Sequence, residues 1–550
     1  MNDSNRSSVE PNALPVRMDL PARRASALEA VSGSLQDETS SRSEDASILL
    51  VLVSFLSPYD KIPLELLVRG STARKRWTAE GEIESVEAIQ AGLSADLIDI
   101  LSDVQRLGSA FGELYQLSAV WKHPDETYHL NEDISARIHR GLSPENLLFW
   151  RQQALIVVYR AIPWKYLEFP DAVVKLFLPH FQHATKAFQD SFDELPSSNR
   201  VDLMLALVEA SRFPDMAWKY FAVGQAELAA GRLKNAHLRL CIGQSKARLG
   251  RLSGNMDEAV SSLLDLASDE SSSDANQRTR SEIGVTILQR SLNFIQVEDL
   301  ASAQKLLEGW NPLGENPSPL EEVVCFRKYS LLGRILRYLG EFSDSLKYLE
   351  MARRATKQPS GIILDEDIRD LTCDLADTLR ELDDPVSGEA HLRAEMEQRA
   401  KRPDPLPGKS LLELALAEAL LAQGRLKEAE EICVDVQSRS SLLKFENLRL
   451  HVILAKIRHY NSDLEAALSC WSDAMQALQK FSLVNGRLSG IISTSITDVL
   501  DAQGHNWLTR ESPRSASLGE LAKPEGVPYW IAGFRQWADY LQSRGARCDL

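Results

Sequence analysis

The stretch LAEALLAQGRLKEAEEICVDV, residues 416–436, decides the fold. Nearly every residue in it favours a helix, yet Gly424 stands in the middle, where glycine costs a helix interior about 1 kcal/mol relative to alanine. A glycine that takes positive φ ends one helix, and a small residue five positions later lets the next helix return closely against the first. The expected structure is two helices broken at Gly424, with Leu426 and Ala429 packing behind the break.

The same punctuation recurs in AAGRLKNAHLRL, LSGNMDEAVSSL and YLGEFSDSLKYL. The turns are Gly231/Leu233/Ala236, Gly254/Met256/Ala259, Gly340/Phe342/Ser345 and Gly424/Leu426/Ala429. Copies without the glycine stand at Leu300/Ala303 and Leu464/Ala467, with a further candidate at Ala390, and first helices carry small residues at Gly224, Gly333 and Ala417. This combination resembles the tetratricopeptide repeat (TPR), whose consensus places a small residue in the first helix, glycine in the turn and alanine in the second helix. Residues 217–245, 326–354 and 410–437 carry the resemblance best. The small positions 236, 259, 303, 345, 390, 429 and 467 are 23, 44, 42, 45, 39 and 38 apart, against a family period of 34. Most units therefore have longer helices or loops, and the interval of 23 implies one helix shared between two turns. The resemblance implies an all-α solenoid in which these residues pack helices, while a protein or peptide binds the concave face.

Around this core the chain divides into four expected regions. Residues 1–44, rich in Ser, Asp, Glu, Pro and Arg, bury too little to repay ordering and are expected to be disordered. Residues 45–163 read as a small winged-helix-like module, with helices around a break at Ser57 and Pro58 and a hairpin turning at HPDE, residues 123–126. Residues 164–510 form the solenoid. Residues 511–550 form a loop and a capping helix, in which Trp530, Phe534, Trp537 and Tyr540 make one aromatic stripe.

The module is similar to the winged-helix segment that follows the nucleotide-binding module in STAND-class ATPases, particularly fungal NLR-like proteins with TPR tails. The matching residues are LLVLVSFLSPYDKIPLELL (49–67), LIDILSDVQRLGSAFGELYQLSAV (97–120) and YHLNEDISARIHRGL (128–142). That class carries a P-loop upstream, and the residues before position 46 contain none. The resemblance then implies the sensor half of such a protein, with a nucleotide-binding protein as a partner in trans.

Charge and motifs argue against several other classes. Lys and Arg number 62 against 78 Asp and Glu, and the net charge of −16 opposes phosphate binding. The basic runs RKRW (74–77) and MARRATK (351–357) read as solvated faces. A recognition helix needs basic or amide groups facing bases, but ADLIDILSDVQRLGSAFGEL carries Asp96, Asp99, Asp103 and Glu113, so no nucleic-acid partner is expected. The apolar run ASILLVLVSFL is about half the length that spans a bilayer, so neither a membrane helix nor a membrane partner is expected. Six scattered cysteines, Cys241, Cys325, Cys373, Cys433, Cys470 and Cys548, suit a reducing compartment, and the cytoplasm is the expected location.

Chemistry is sparse. PDPLPGKS (403–410) ends as a phosphate loop does, but its prolines remove the N–H donors such a cradle needs, and Ser410 is the expected helix cap. GQSKA (243–247) lies inside a helix and lacks the strained turn of a nucleophile elbow. His180 and His183 share a helix face without the spacing or cysteines of a metal site. No catalytic, cofactor-binding or metal-binding residue is assigned, and the expected protein is a non-catalytic interaction scaffold or sensor without a cofactor. The alternative is a small-molecule or enzymatic site inside the solenoid, for which Trp218, Tyr220, Tyr329 and His451 are candidate lining residues.

Overall fold

The computed structural model describes residues 25–31 except 27, 43–169 except 79, 172–264 except 214, 232 and 234, 276–356 except 298, 361–401, 408–439, 442–480, 486–504 and 535–545. Helix α1 (Glu44–Val53) starts where the Ser43 hydroxyl accepts from the Ala46 amide, and Leu49 to Val53 are wholly buried. After it come β1 (Ile62–Pro63), α2 (Leu64–Ser71), β2 (Arg74–Trp77), β3 (Ile83–Val86), α3 (Ala95–Ser102), α4 (Val104–Gln116), β4 (Val120–Lys122), β5 (Thr127–Leu130), α5 (Glu132–Gly141) and α6 (Pro144–Ala161). The hairpin expected at residues 123–126 forms: β4 pairs with β5, β1 adds to its other edge, and the sheet order is β1-β5-β4.

A second hairpin, β2–β3, was hidden in the sequence. RKRW is not a solvated face but a strand paired with residues 83–86, its turn closed by the Thr78 amide on the Glu82 carbonyl. The alternation is masked because its inward residues are arginines, neutralised by Glu168 for Arg74 and by Glu84 and Asp202 for Arg76. Within the segment expected to be disordered, Ala30 and Val31 are buried, and Ala30 rests against Gly141.

Past α7 (Phe177–Phe188) the described residues form seven helical hairpins. These are α8 (Ser197–Ala210) with α9 (Met216–Ala230), α10 (Ala236–Ser253) with α11 (Met256–Leu264), α12 (Gln277–Gln296) with α13 (Leu300–Glu308), and α14 (Pro319–Leu339) with α15 (Phe342–Ala355). There follow α16 (Asp365–Glu381) with α17 (Pro385–Ala400), α18 (Lys409–Ala422) with α19 (Leu426–Gln437), and α20 (Lys444–Tyr460) with α21 (Leu464–Gln479). Then come α22 (Gly486–Ala502) and α23 (Arg535–Ser543). The chain is a TPR-like α-solenoid behind a small module, and one hydrophobic core joins buried residues from Ala30 to Ile242.

The hairpins from α10 onward turn in one way. Asn255, Asp299, Glu341, Asp384, Arg425 and Asp463 each donate a backbone N–H to the carbonyl five residues back, the bond that closes a helix on a left-handed residue. Gly254, Gly340 and Gly424 supply that residue at φ +81°, +84° and +75°, whereas Asp383 and Ser462 take it without glycine. Gly231 differs. Its φ of +44° and ψ of −117° lie elsewhere, and α9 and α10, which it joins, each pack more closely on their other neighbour. Residues 217–245 therefore straddle two hairpins.

Behind each turn sits a small pair twelve residues apart. Ser345 donates its hydroxyl to the Gly333 carbonyl (2.7 Å), and a Cβ on Gly333 would run into Leu349. Gly388 rests on Ala376, and Ala417/Ala429 and Ala455/Ala467 repeat the spacing, all four alanines buried. The small position of α17 is thus Gly388, not Ala390, which is exposed. Likewise Gly408, at φ +86°, caps α18 in place of Ser410, whose hydroxyl accepts instead from Arg439 (2.9 Å). Residues 402–407, Trp530 and Phe534 lie outside the described residues.

Candidate functional site on the inner helices

Successive first helices touch one another from α10 through α20, whereas contacts between successive second helices are sparser. A stack that is closer on one side bends toward it, so the first helices line the concave face. Their facing residues are polar. In the earlier hairpins, Gln244 donates to the Glu282 carbonyl (3.1 Å) and the Thr286 hydroxyl (3.0 Å), and Arg251 donates to Asn293 (2.6 Å).

From α14 to α20 the same surface becomes a buried ionic network. Arg337 holds Asp374 at 3.0 Å and Asp377 at 3.3 Å, while Arg334 also engages Asp374. Asp377 reaches Arg449 at 3.0 Å and Arg380 at 3.1 Å, and both guanidiniums meet Glu418. Arg337, Asp377 and Arg449 are at most 1% exposed, so each charge is sustained by its partners rather than by water. Burial alone would raise the pKa of Glu418, but Arg449, Arg380 and Lys456 outweigh it and hold the carboxyl below its ordinary range. Glu381 is the contrary case. Burial pushes its pKa up against Arg380 and Arg535, and neither carboxylate oxygen accepts a hydrogen bond among the described residues.

Two segments of the chain close on the rims of these helices. At the N-terminal ends, Arg278 of α12 donates to the carbonyls of Trp77 (3.3 Å) and Thr78 (3.4 Å), and the Leu320 amide donates to Gly81 (3.2 Å). The Ile363 amide donates to the Tyr166 carbonyl (2.8 Å), and Lys165 lies 3.2 Å from Asp367. The β2–β3 hairpin and residues 165–168 thus fasten the module to α12, α14 and α16. At the C-terminal ends sits α23. Arg535 donates to the Glu381 carbonyl (2.7 Å) and to Asp383 (3.0 Å), and Gln536 to the Arg380 carbonyl (3.1 Å). Trp537 donates to Ser495 (3.0 Å) among the rings of His459, Tyr460, Trp471 and Tyr540, and Arg544 reaches Asp498 (2.8 Å).

The residues singled out from sequence stand apart from this surface. Gly254, Ala259, Gly340, Ser345, Gly424, Ala429 and Ala467 sit at turns or helix contacts, and Ala236 begins α10. Gly231 borders a cleft of about 370 Å³ with Gln189, Asp190, Phe192, Asp193, Arg200 and Leu228. The four candidate pocket residues do not converge: Trp218 packs on Phe181, Tyr220 is exposed, Tyr329 faces Tyr348, and His451 faces Asp473. His180 is wholly buried and structural, accepting from the Ser57 amide (3.2 Å) through Nδ1 and donating to the Lys61 carbonyl (2.9 Å) through Nε2. Burial raises the Cys373 thiol far above its ordinary pKa, the opposite of what a nucleophile needs. Among the described residues no group of three His, Cys, Asp or Glu side chains is placed to hold a metal, and no helix is long and apolar enough to cross a membrane. The ionic network escaped sequence reasoning, although arginines and acids at core-facing positions of Leu-rich helices were its signal.

No family model and no curated protein matches the sequence. Among solved structures, a tetratricopeptide repeat protein from Parabacteroides merdae is similar at 12% identity, covering 57% of this chain and 98% of its own, with a TM-score of 0.34. A Signal Transduction ATPase with Numerous Domains from Pyrococcus horikoshii, with a tetratricopeptide repeat sensor, is similar at 11% identity, covering 82% of this chain and 72% of its own, with a TM-score of 0.35.

Proposed function

We propose that this protein is a non-catalytic interaction scaffold or sensor whose inner helices receive a protein or peptide partner in the cytoplasm. One observation carries the reading: the rim of the inner helices carries an array of acidic and aromatic groups, Asp383, Asp498, Tyr460 and Trp471, on which a helix is already seated. Such an array supplies directional recognition to a protein surface. The three-stranded sheet β1-β5-β4 with α1, α2 and α4, into which β2, β3 and α3 are inserted between α2 and α4, supports a winged-helix-like module at the N-terminus, and a nucleotide-binding protein in trans remains the partner class the sequence resemblance proposes.

Affinity capture of the tagged full-length chain from its own cells, followed by mass spectrometry, tests this. A reproducible partner lost on changing Asp383 and Asp498 to lysine supports the reading. Turnover of a small molecule by a chain that captures nothing overturns it.

A further inference from the structure

Helix α23 does more than close the last repeat. A solenoid element ordinarily touches only its neighbours, yet α23 reaches from Ser495 of α22 back to the carbonyls of Arg380 and Glu381 at the end of α16. Those carbonyls belong to the last turn of a helix, where acceptors lack intrahelical partners and positive charge is favoured. The seat is acidic, through Glu381, Asp383 and Asp498, and aromatic, through His459, Tyr460 and Trp471. The occupant matches it in kind, with Arg535 and Arg544 at its ends and Trp537 and Tyr540 between.

Two features make the occupant replaceable. At nine residues α23 is too short to hold a helix alone, so its order derives from the seat. It buries only Trp537, Ala538 and Leu541, while Arg535 and Arg544 keep 40% and 34% of their side chains in solvent. Residues 503–534 separate it in sequence from α22. None of the contacts requires that the helix be covalently attached.

We propose that this seat is a docking site for an amphipathic helix of a partner protein, with an aromatic pair one turn apart flanked by basic residues, and that α23 occupies it in cis until displaced. The proposal rests on reading the inner surface as protein-binding. Tethering raises the local concentration of α23, so an external helix binds the intact chain weakly and a chain with a weakened α23 strongly.

The test uses a fluorescent synthetic peptide of residues 528–545 and three full-length proteins: wild type, Trp537→Ala, and Arg535→Ala with Arg544→Ala. Fluorescence anisotropy is expected to show both variants binding the peptide at least tenfold more tightly than wild type, with no binding by a peptide in which Trp537 is alanine. Folded variants that bind no more tightly than wild type overturn the proposal. If Trp537→Ala fails to fold, the double-arginine variant decides, and loss of the fold in both overturns it by making α23 an obligate part of the core. Dimerisation of the variants in sedimentation assigns the seat to a second copy and overturns the partner assignment. A wild-type chain that captures partners while its variants refuse the peptide overturns this inference alone.

Discussion

Glu418 and Glu381 lie on adjacent inner helices and carry opposite electrostatic burdens. Glu418, 3% exposed between Arg449 and Arg380, is held ionised, so the folded protein binds its proton less tightly than the unfolded chain does. The stability it confers is complete above its ordinary pKa of 4.5 and is lost as pH falls toward about 2. Glu418→Gln is expected to cost about 3 kcal/mol in urea unfolding at pH 7, because two buried guanidiniums lose their shared anion, and to flatten that acid limb. Glu381 has a raised pKa, so its favourable contribution belongs to low pH and disappears as pH rises through the folded value. Glu381→Gln is therefore expected to leave stability at pH 7 unchanged or increased. His180 is pushed down by burial, and its two hydrogen bonds need the neutral ring. Stability present above its ordinary 6.5 is expected to decline as pH drops below that value, and His180→Leu to flatten this limb while costing about 2 kcal/mol at pH 7 for the unpaired amide and carbonyl. Urea titrations from pH 2 to 7.5 check all three.

Helical hairpins are the scale at which the sequence speaks most clearly. Gly424 is legible because one residue type both permits left-handed backbone and interrupts a helix-forming run, and the structure puts it at φ +75° in open space. Gly424→Ala is expected to cost about 1 kcal/mol through backbone strain alone. Asp383 and Ser462 make the same turn without announcing it, which is why α16–α17 and α20–α21 read as weak copies. Absence of a turn glycine also displaced the expected small position from Gly388 to Ala390. Thermal melts can separate the two sites: Gly388→Leu is expected to destabilise by about 2 kcal/mol as it meets Ala376, whereas Ala390→Leu is expected to be silent. Gly231 shows the converse limit, since glycine followed by small residues looks alike whether the next helix packs back or starts a new hairpin.

At the scale of the whole molecule, the decisive contacts join residues that sequence patterns do not relate. Arg278 and Trp77 are 201 positions apart, and nothing in RKRW signals that its strand ends against the start of α12. The inner ionic network was equally hidden, because acids and arginines on a helix read as solvent-facing until neighbouring helices supply their counter-charges. Gly81→Val would place a side chain on Ser318 at a φ of +78°. It is expected to unseat the β2–β3 hairpin, giving faster hydrogen exchange at Trp77, Thr78 and Gly81 and at the start of α14 and a larger radius of gyration by small-angle scattering. The separation also has a consequence for biosynthesis. At about 5–20 residues per second, the hairpin leaves the ribosome on the order of ten seconds or more before α12 and α14 exist to cover it. A newborn strand edge is a template for pairing with other chains, and charged side chains blunt it. Arg74, Lys75 and Arg76 keep that edge soluble through the wait; Arg76 meets Glu84 within the hairpin itself, and Glu168 and Asp202 follow before α12 is made.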